Sequence, residues 1–265
     1  MPSYFINVLC ALMLSLTAPS CTEAPKPACD CGTAVETPFK TNQKKYARVR
    51  QAYLDKEASV NTLLNSKNIC ANKLRIFIRA FKLDKKFEVW GKNEADSTFQ
   101  LLRTYKICTL SGIEGPKRKR GDGQIPEGFY HIDMFNPTSH FYLSLGLNYP
   151  NQSDKILGNE DPGDDIFIHG DCVSIGCMPL TDDIIKELYV LCVEATNAGQ
   201  TNIPVHVFPT RLTIQNLAPL YKKHKGDTAL VDFWQNLKPG HDYFEKHKQL
   251  PIIDVNPSGQ YVVVP

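Results

Sequence analysis

Cys177 and His169 are the residues whose types and spacing could do chemistry. They sit in Asp164-Asp165-Ile166-Phe167-Ile168-His169-Gly170-Asp171-Cys172-Val173-Ser174-Ile175-Gly176-Cys177-Met178-Pro179. An imidazole that accepts a thiol proton makes a cysteine nucleophilic, and the two residue types recur together in acyl transfer. Here Cys177 is the candidate nucleophile, and His169 either takes its proton or sits beside a thiolate as imidazolium. Gly176 permits a sharp bend, so backbone amides at Gly176 and Cys177, with Ile175 next to them, could converge on a developing oxyanion. Gly170 and Ser174 are the supporting positions of the loop. Taken singly, a cysteine and a histidine more often read as buried core residues; the His-Gly and Ser-x-Gly-Cys context favours chemistry. Cys172 is a rival nucleophile, three residues after His169, and could instead pair with Cys177 in a disulfide. It lacks a preceding glycine. His169, Asp171, Cys172 and Cys177 crowd into one loop, unlike the separated pairs of a structural zinc site, so no metal is expected. The other six histidines show no ligand spacing. No Gly-Lys-Ser or Gly-Lys-Thr phosphate loop and no dinucleotide fingerprint occurs, and no cofactor is expected.

The elements that must position this pair are legible around it. Residues 165–169 read as a strand that ends on His169. After the loop, Thr181 is a helix cap, Asp182 and Asp183 suit a first turn, and Asn197 to Gly199 ends the helix. Upstream, Leu74, Ile76, Ile78 and Ala80 alternate with Arg75, Phe77 and Arg79, and Asp84-Lys85-Lys86 turns the chain into Phe87-Glu88-Val89-Trp90. Further strands are expected at 99–109, 128–134, 140–146 and 203–208. Short strands separated by Gly, Pro, Asn and Asp argue for a sandwich or barrel, and the fold class is α+β, mainly β with flanking helices. Residues 73–210 are taken as the catalytic domain. Residues 211–265 are a C-terminal extension packed on it: a short helix bearing Phe233, Trp234 and Leu237 is stopped by Pro239-Gly240, and Tyr261-Val262-Val263-Val264 could close a sheet.

The N-terminal part reads differently. Tyr4 to Leu16 is mostly apolar and too short for a comfortable membrane span. Ala18-Pro19-Ser20 precedes Cys21, which reads as an export signal (residues 1–21) with a lipobox and lipidation at Cys21. Residues 22–41 have linker composition, and 42–72 hold an N-terminal helix with Tyr46, Val49, Tyr53, Val60, Leu63 and Leu64 at helical spacing. The nine cysteines suit an exported protein. With Cys10 in the signal, Cys21 lipidated and Cys177 free, six remain, an even number that fixes no connectivity; Cys29 and Cys31 in the tether are expected to be unpaired. The net charge of +2 over 265 residues gives no case for nucleic-acid binding. The one basic run, Lys117-Arg118-Lys119-Arg120, reads first as a solvated loop. As an alternative, Lys119 and Arg120 bind substrate by attracting carboxylates.

With these residues in view, the chain resembles the YkuD-type L,D-transpeptidase family, in its YafK-like branch. The family carries a His-Gly followed by Ser-His-Gly-Cys. The matching elements are His169-Gly170 and Ser174-Ile175-Gly176-Cys177, with a shorter intervening loop, Ile175 in place of the second histidine, and Met178-Pro179 after the cysteine. Supporting stretches are Gly115 to Gly123, Ile125 to Tyr130, Asn136-Pro137, Tyr149-Pro150-Asn151, Phe233 to Lys238 and Asp242 to Glu245; the likeness spans roughly residues 74–264. It implies an L,D-transpeptidase-like β-sandwich domain, with Cys177 as nucleophile and His169 as general base. The substrates implied are peptidoglycan peptide stems, including bonds to a covalently attached envelope lipoprotein, and the implied site of action is the periplasm or cell envelope with a membrane lipid anchor. The competing expectation is a non-catalytic envelope or peptidoglycan-binding lipoprotein with a degenerate site.

Overall fold

The computed structural model describes Met1, Cys31 and residues 35–264. Apart from Met1, the expected export signal, Cys21 and most of the expected linker lie outside the described residues. The linker reading ends too late. Pro38–Gln43 forms a short helix, α1, because Pro38 at its start has φ preset for a helix and Thr37 caps it. Asn197 Oδ1 receives both the Thr37 N–H and its hydroxyl, 2.8 Å each, tying α1 to the end of the helix Asp182–Asn197. The expected N-terminal helix is α2, Ala47–Ser66, which buries Val49, Ala52, Tyr53, Val60, Leu63 and Leu64.

Eight strands make one hydrogen-bonded sheet: β1 (Leu74–Phe81), β2 (Lys86–Asn93), β3 (Gln100–Lys106), β4 (Gly128–Asn136), β5 (Ser144–Leu147), β6 (Phe167–His169), β7 (Met178–Pro179) and β8 (Ile203–Phe208). Their order is β3-β2-β1-β8-β4-β5-β6-β7, with β1–β8 and β6–β7 parallel and the rest antiparallel. The short helix α3 (Gln152–Leu157) lies between β5 and β6, and α4 (Asp182–Asn197) between β7 and β8. Thr181 caps α4 as expected, accepting from the Ile184 N–H.

The two-residue period of β1 is correct, yet Arg79 does not face water. Ile76, Ile78 and Ala80 join α2 and α4 in one core, while Phe77 and Phe81 enter cores on the opposite face. That face is covered by α5 (Ile214–Lys223) and α6 (Thr228–His247). Arg79, 1% exposed, is held there by Glu88 at 2.7 Å and Glu245 at 3.0 Å. A buried guanidinium needs such partners to offset its lost hydration.

The extension departs from expectation in three ways. Helix α5 carries Pro219 internally and lacked a clear sequence signal. Pro239-Gly240 does not stop α6, which continues to His247. Its far half is fixed by Phe244 against Phe77 (4.8 Å between ring centroids) and Trp90 (5.0 Å) and by Glu245 on Arg79 and Arg211. Gly240 is there for space: a Cβ would come within 2.7 Å of the Phe129 ring. Finally, Tyr261–Val264 (β10) pairs with Ile252–Val255 (β9) in a separate ribbon and does not extend the main sheet.

Candidate active site

The β6–β7 register sets the site. Ile168 faces Met178 and His169 faces Pro179, so Cys177 lies one residue before this pairing, against Phe167. The Phe167 N–H donates to Cys177 Sγ at 3.4 Å, and Sγ donates to the Asp165 carbonyl at 3.7 Å. His169 ends β6 at 1% exposure, its ring stacked on Phe141 at 4.6 Å. Its Nδ1 meets the Gly170 carbonyl at 2.5 Å. A carbonyl only accepts, so Nδ1 carries the proton and Nε2 is the basic nitrogen of the neutral ring. No hydrogen bond joins His169 to Cys177 in this resting arrangement.

Gly170 is required by crowding. A Cβ there would meet Asp182 Oδ1 at 2.6 Å and the Phe141 carbonyl at 3.0 Å. The same Asp182 oxygen, in the first turn of α4, accepts the Asp171 N–H at 2.9 Å, so α4 shapes the start of the loop.

Ser174 organises the end of the loop. Its Oγ accepts the Gly176 N–H at 3.2 Å, donates to the Cys177 carbonyl at 2.7 Å and lies 3.0 Å from Ser111 Oγ. The expectation for the Gly176 amide is therefore corrected, because that N–H is already spent on Ser174. The N–H groups of Ile175 and Cys177 donate to nothing among the described residues and remain open. Gly176 has φ +132, a region that favours glycine, and a Cβ there would approach the Gln124 carbonyl to 3.3 Å. Ile175 is 91% exposed.

Cys172 is not a rival nucleophile: it is bonded to Cys108, which ties the loop to the segment after β3. A Cys172–Cys177 bridge is likewise absent, and Cys177 is free. Cys31 does not stay unpaired but bridges to Cys70. Cys192 is free and sealed in the core, where burial pushes its thiol far up.

The basic run is a pinned loop and not a free solvated one. Lys117 is buried, its ammonium on Asp122 at 2.7 Å and on the Lys119 carbonyl at 2.9 Å. Arg118 pairs with Asp154 at 3.1 Å and lies over the Phe233 ring. Arg120 is held by Asp161 at 2.7 Å and Asp164 at 2.8 Å. Lys119 alone of the four makes no ion pair among the described residues. Asp122, whose carboxylate also takes the N–H groups of Arg118, Lys119 and Gln124, is the hub of the turn.

Beneath this loop lies a group that sequence reasoning missed. Glu127, fully buried, accepts Lys82 Nζ at 2.9 Å and the Gly115 N–H at 3.0 Å on one oxygen, and Trp234 Nε1 at 2.7 Å on the other. Lys82 Nζ also reaches the carbonyls of Gly115 and Ile125, 2.8 Å each. Both ends of the segment carrying Lys117 and Gln124 are thus gathered on one buried ion pair, closed by α6. Ser111 was missed as well; no local pattern marks it.

Burial pushes the Cys177 thiol above its ordinary value, and Asp165 adds to this; the Phe167 N–H and Lys117 pull the other way and do not prevail. Burial also holds His169 below the usual histidine range. The resting pair is therefore a neutral thiol and a neutral imidazole, which favours His169 as proton acceptor over a preformed ion pair.

Comparison with known proteins bears on this geometry. Residues 82–207 match the family described as YkuD, L,D-transpeptidase catalytic domain. YafK of Escherichia coli (strain K12), provisionally named an L,D-transpeptidase, is 38% identical over 190 residues, covering 71% of this chain and 73% of that protein. Among solved structures, the helical cell shape determining protein Pgp2 of Campylobacter jejuni aligns with TM-score 0.42 and 17% identity over 69% of this chain and 73% of that one. L,D-transpeptidase 1 of Mycobacterium tuberculosis aligns with TM-score 0.28 and 16% identity over 51% and 62%. The chain belongs to the YkuD family of L,D-transpeptidase catalytic domains, with the peptidoglycan-related role that family carries.

Proposed function

We propose that this protein performs cysteine-dependent acyl transfer on peptidoglycan peptide stems. The observation that carries the reading is the β6–β7 pairing, which puts the free Cys177 thiol beside the strand that ends at His169 and leaves Nε2 as the proton-accepting nitrogen. Cys177 Sγ attacks the carbonyl carbon at an L-configured centre of the stem while His169 Nε2 takes the thiol proton. The open N–H groups of Ile175 and Cys177 hold the oxyanion, with the Gly176–Ser174 hydrogen bond fixing the turn that presents them. The C–N bond then breaks, and His169 returns the proton to the leaving amine. A thioester on Cys177 remains. An acceptor amine converts it to a cross-link, losing a proton to His169 as the thiolate departs. Water in place of the amine gives hydrolysis, which includes release of a covalently attached envelope lipoprotein.

Lys119, the cation of its run without an ion-pair partner among the described residues, steers stem carboxylates toward Cys177. Arg120, held between Asp161 and Asp164, is the weaker candidate for that role. Action on the periplasmic side is supported by the Cys31–Cys70 and Cys108–Cys172 disulfides, which persist in oxidising compartments. Lipidation at Cys21 would hold the domain at a membrane. One observation favours the alternative of a non-catalytic envelope protein: the resting thiol is bound to Phe167 and Asp165 and not to His169.

The test is to incubate the purified protein and its Cys177→Ala variant with sacculi and with tetrapeptide muropeptides, reading the products by mass spectrometry. Loss of terminal D-alanine, new cross-linked dimers, or release of lysine-bearing peptide from lipoprotein-loaded sacculi, absent in the variant, is the expected result. No Cys177-dependent product from any substrate would sink the catalytic reading in favour of the binding one.

A further inference from the structure

A cavity that no residue of the Cys177 loop lines lies between β4 and β8 of the main sheet and the β9–β10 ribbon. Its volume is about 360 Å³, within the range of sites for small molecules. Phe129, Pro204 and Ile253 supply apolar surface, and the ring of His206 and the side chains of Gln152 and Asn202 supply polar groups. No Lys, Arg, Asp or Glu lines it. The other main concavities all carry charge: Glu114, Arg118 and Asp227 in one, Arg75, Lys92 and Glu94 in another, Lys82 and Glu114 in a third. In a chain with 22% charged residues, this lining of fourteen without one sets the cavity apart as uncharged.

His206 is the second observation. It is 4% exposed, packed edge-on against Phe77 at 4.5 Å and Phe129 at 4.7 Å. Its Nδ1 is sealed from solvent with no hydrogen-bond partner, and its Nε2 makes none to any described residue. Burial, helped by the nearby Arg79, drives its pKa down to about 3, so the ring is neutral and keeps one donor and one acceptor. Because Nδ1 is sealed, a ligand in the cavity would meet only Nε2, the nitrogen that bonds to no described residue. The side chains of Gln152, Asn202 and His131 also make no hydrogen bond among the described residues, and Asn148 uses only its Oδ1, on the His131 N–H at 2.8 Å.

Neutral donors and acceptors over apolar surface suit a ligand with hydroxyl and amide groups, apolar ring faces and no charge. The substrate class proposed for Cys177 has two chemically separate parts. Peptide stems are charged; the N-acetylated sugars of the strand that bears them are not. We propose that this cavity binds an uncharged N-acetylated sugar of the glycan strand while a stem is presented to Cys177. This rests on the peptidoglycan reading of the site and adds a substrate-binding region to it.

The test is a calorimetric titration of the full chain with tetra-N-acetylchitotetraose, a probe with no peptide stem. The expected result is saturable binding that weakens about tenfold or more in a Gln152→Ala, Asn202→Ala double variant, the scale of a lost hydrogen bond or two. His206→Phe should weaken it too; should that variant not fold, the double variant of two exposed residues carries the test. No saturable binding to the unaltered chain, or equal affinity in the double variant, overturns the proposal. The two readings fail separately: a chain that turns over muropeptides but ignores the probe loses only the sugar site, and a chain that binds the probe but shows no Cys177-dependent product loses only the catalytic reading.

Discussion

Burial and charge contend at the thiol, and burial prevails, so the proposed mechanism gives proton removal to His169. The pH dependence follows with a definite sign. His169 must be neutral to accept the proton, and its pKa is held below the usual 6.5. Activity should therefore fall on the acid side with a midpoint under 6.5, measured as the pH profile of kcat/KM on a tetrapeptide muropeptide. In the resting protein, alkylation of Cys177 by iodoacetamide should climb with pH toward a midpoint above 9.0, because the thiol is pushed up and only its thiolate reacts. An alkylation midpoint near 6 would instead reveal a preformed ion pair. Ser174→Ala removes the acceptor of the Gly176 N–H and the donor to the Cys177 carbonyl, and should lower kcat/KM roughly tenfold with folding intact, about 1.4 kcal/mol of positioning. Cys177, His169 and the glycine between Ile175 and the cysteine were legible as candidates because all three fall within one short stretch of sequence. The spent amide of Gly176 was not, since the group that binds it is a side chain whose rotamer only the fold determines.

Elements remote in sequence complete the site. The segment 113–125 is held by Lys82 and Glu127, and Glu127 takes a hydrogen bond from Trp234 on α6, beyond the matched catalytic domain. Trp234→Phe keeps an aromatic body but strands a buried carboxylate oxygen, and should destabilise the protein by about 1–3 kcal/mol in denaturant unfolding. Gly240→Ala drives a methyl into the Phe129 ring and should cost about 1–3 kcal/mol by the same measurement. These elements also show where local patterns stop. Helix α4 was readable because Thr181, Asp182, Asp183 and an apolar stripe agree. Helix α6 was cut short at Pro239-Gly240, since a Pro-Gly pair reads as a breaker unless the partner that needs the glycine, Phe129, is known. The Cys108–Cys172 bridge spans 64 residues and follows from no local spacing.

For the whole molecule, strand periodicity gave the main sheet its members except β7, too short to show a period, while which strands pair and which faces are covered depended on contacts across the chain. The extension is the clearest case. It buries the second face of β1 and joins the sheet through the Arg79, Glu88, Arg211 and Glu245 network. Burial pushes the Glu88 and Glu245 carboxyls up, but their cationic neighbours outweigh it, and Glu245 is held down to about 2. Carboxylates with depressed folded pKa values contribute stability that is present above their unfolded value near 4.5 and lost as pH falls toward 2. The Tm should drop through that window, and Glu245→Gln should flatten the drop in a calorimetric pH series. The proposed function requires that Cys177 carry the acyl group. The most direct measurement is peptide mapping by mass spectrometry of the protein quenched in acid during turnover of a tetrapeptide muropeptide. The expected result is a stem-acyl adduct on the peptide containing Cys177, lost in Cys177→Ala together with all product. Product formation by the Cys177→Ala variant, or an adduct on any other residue, would contradict the account.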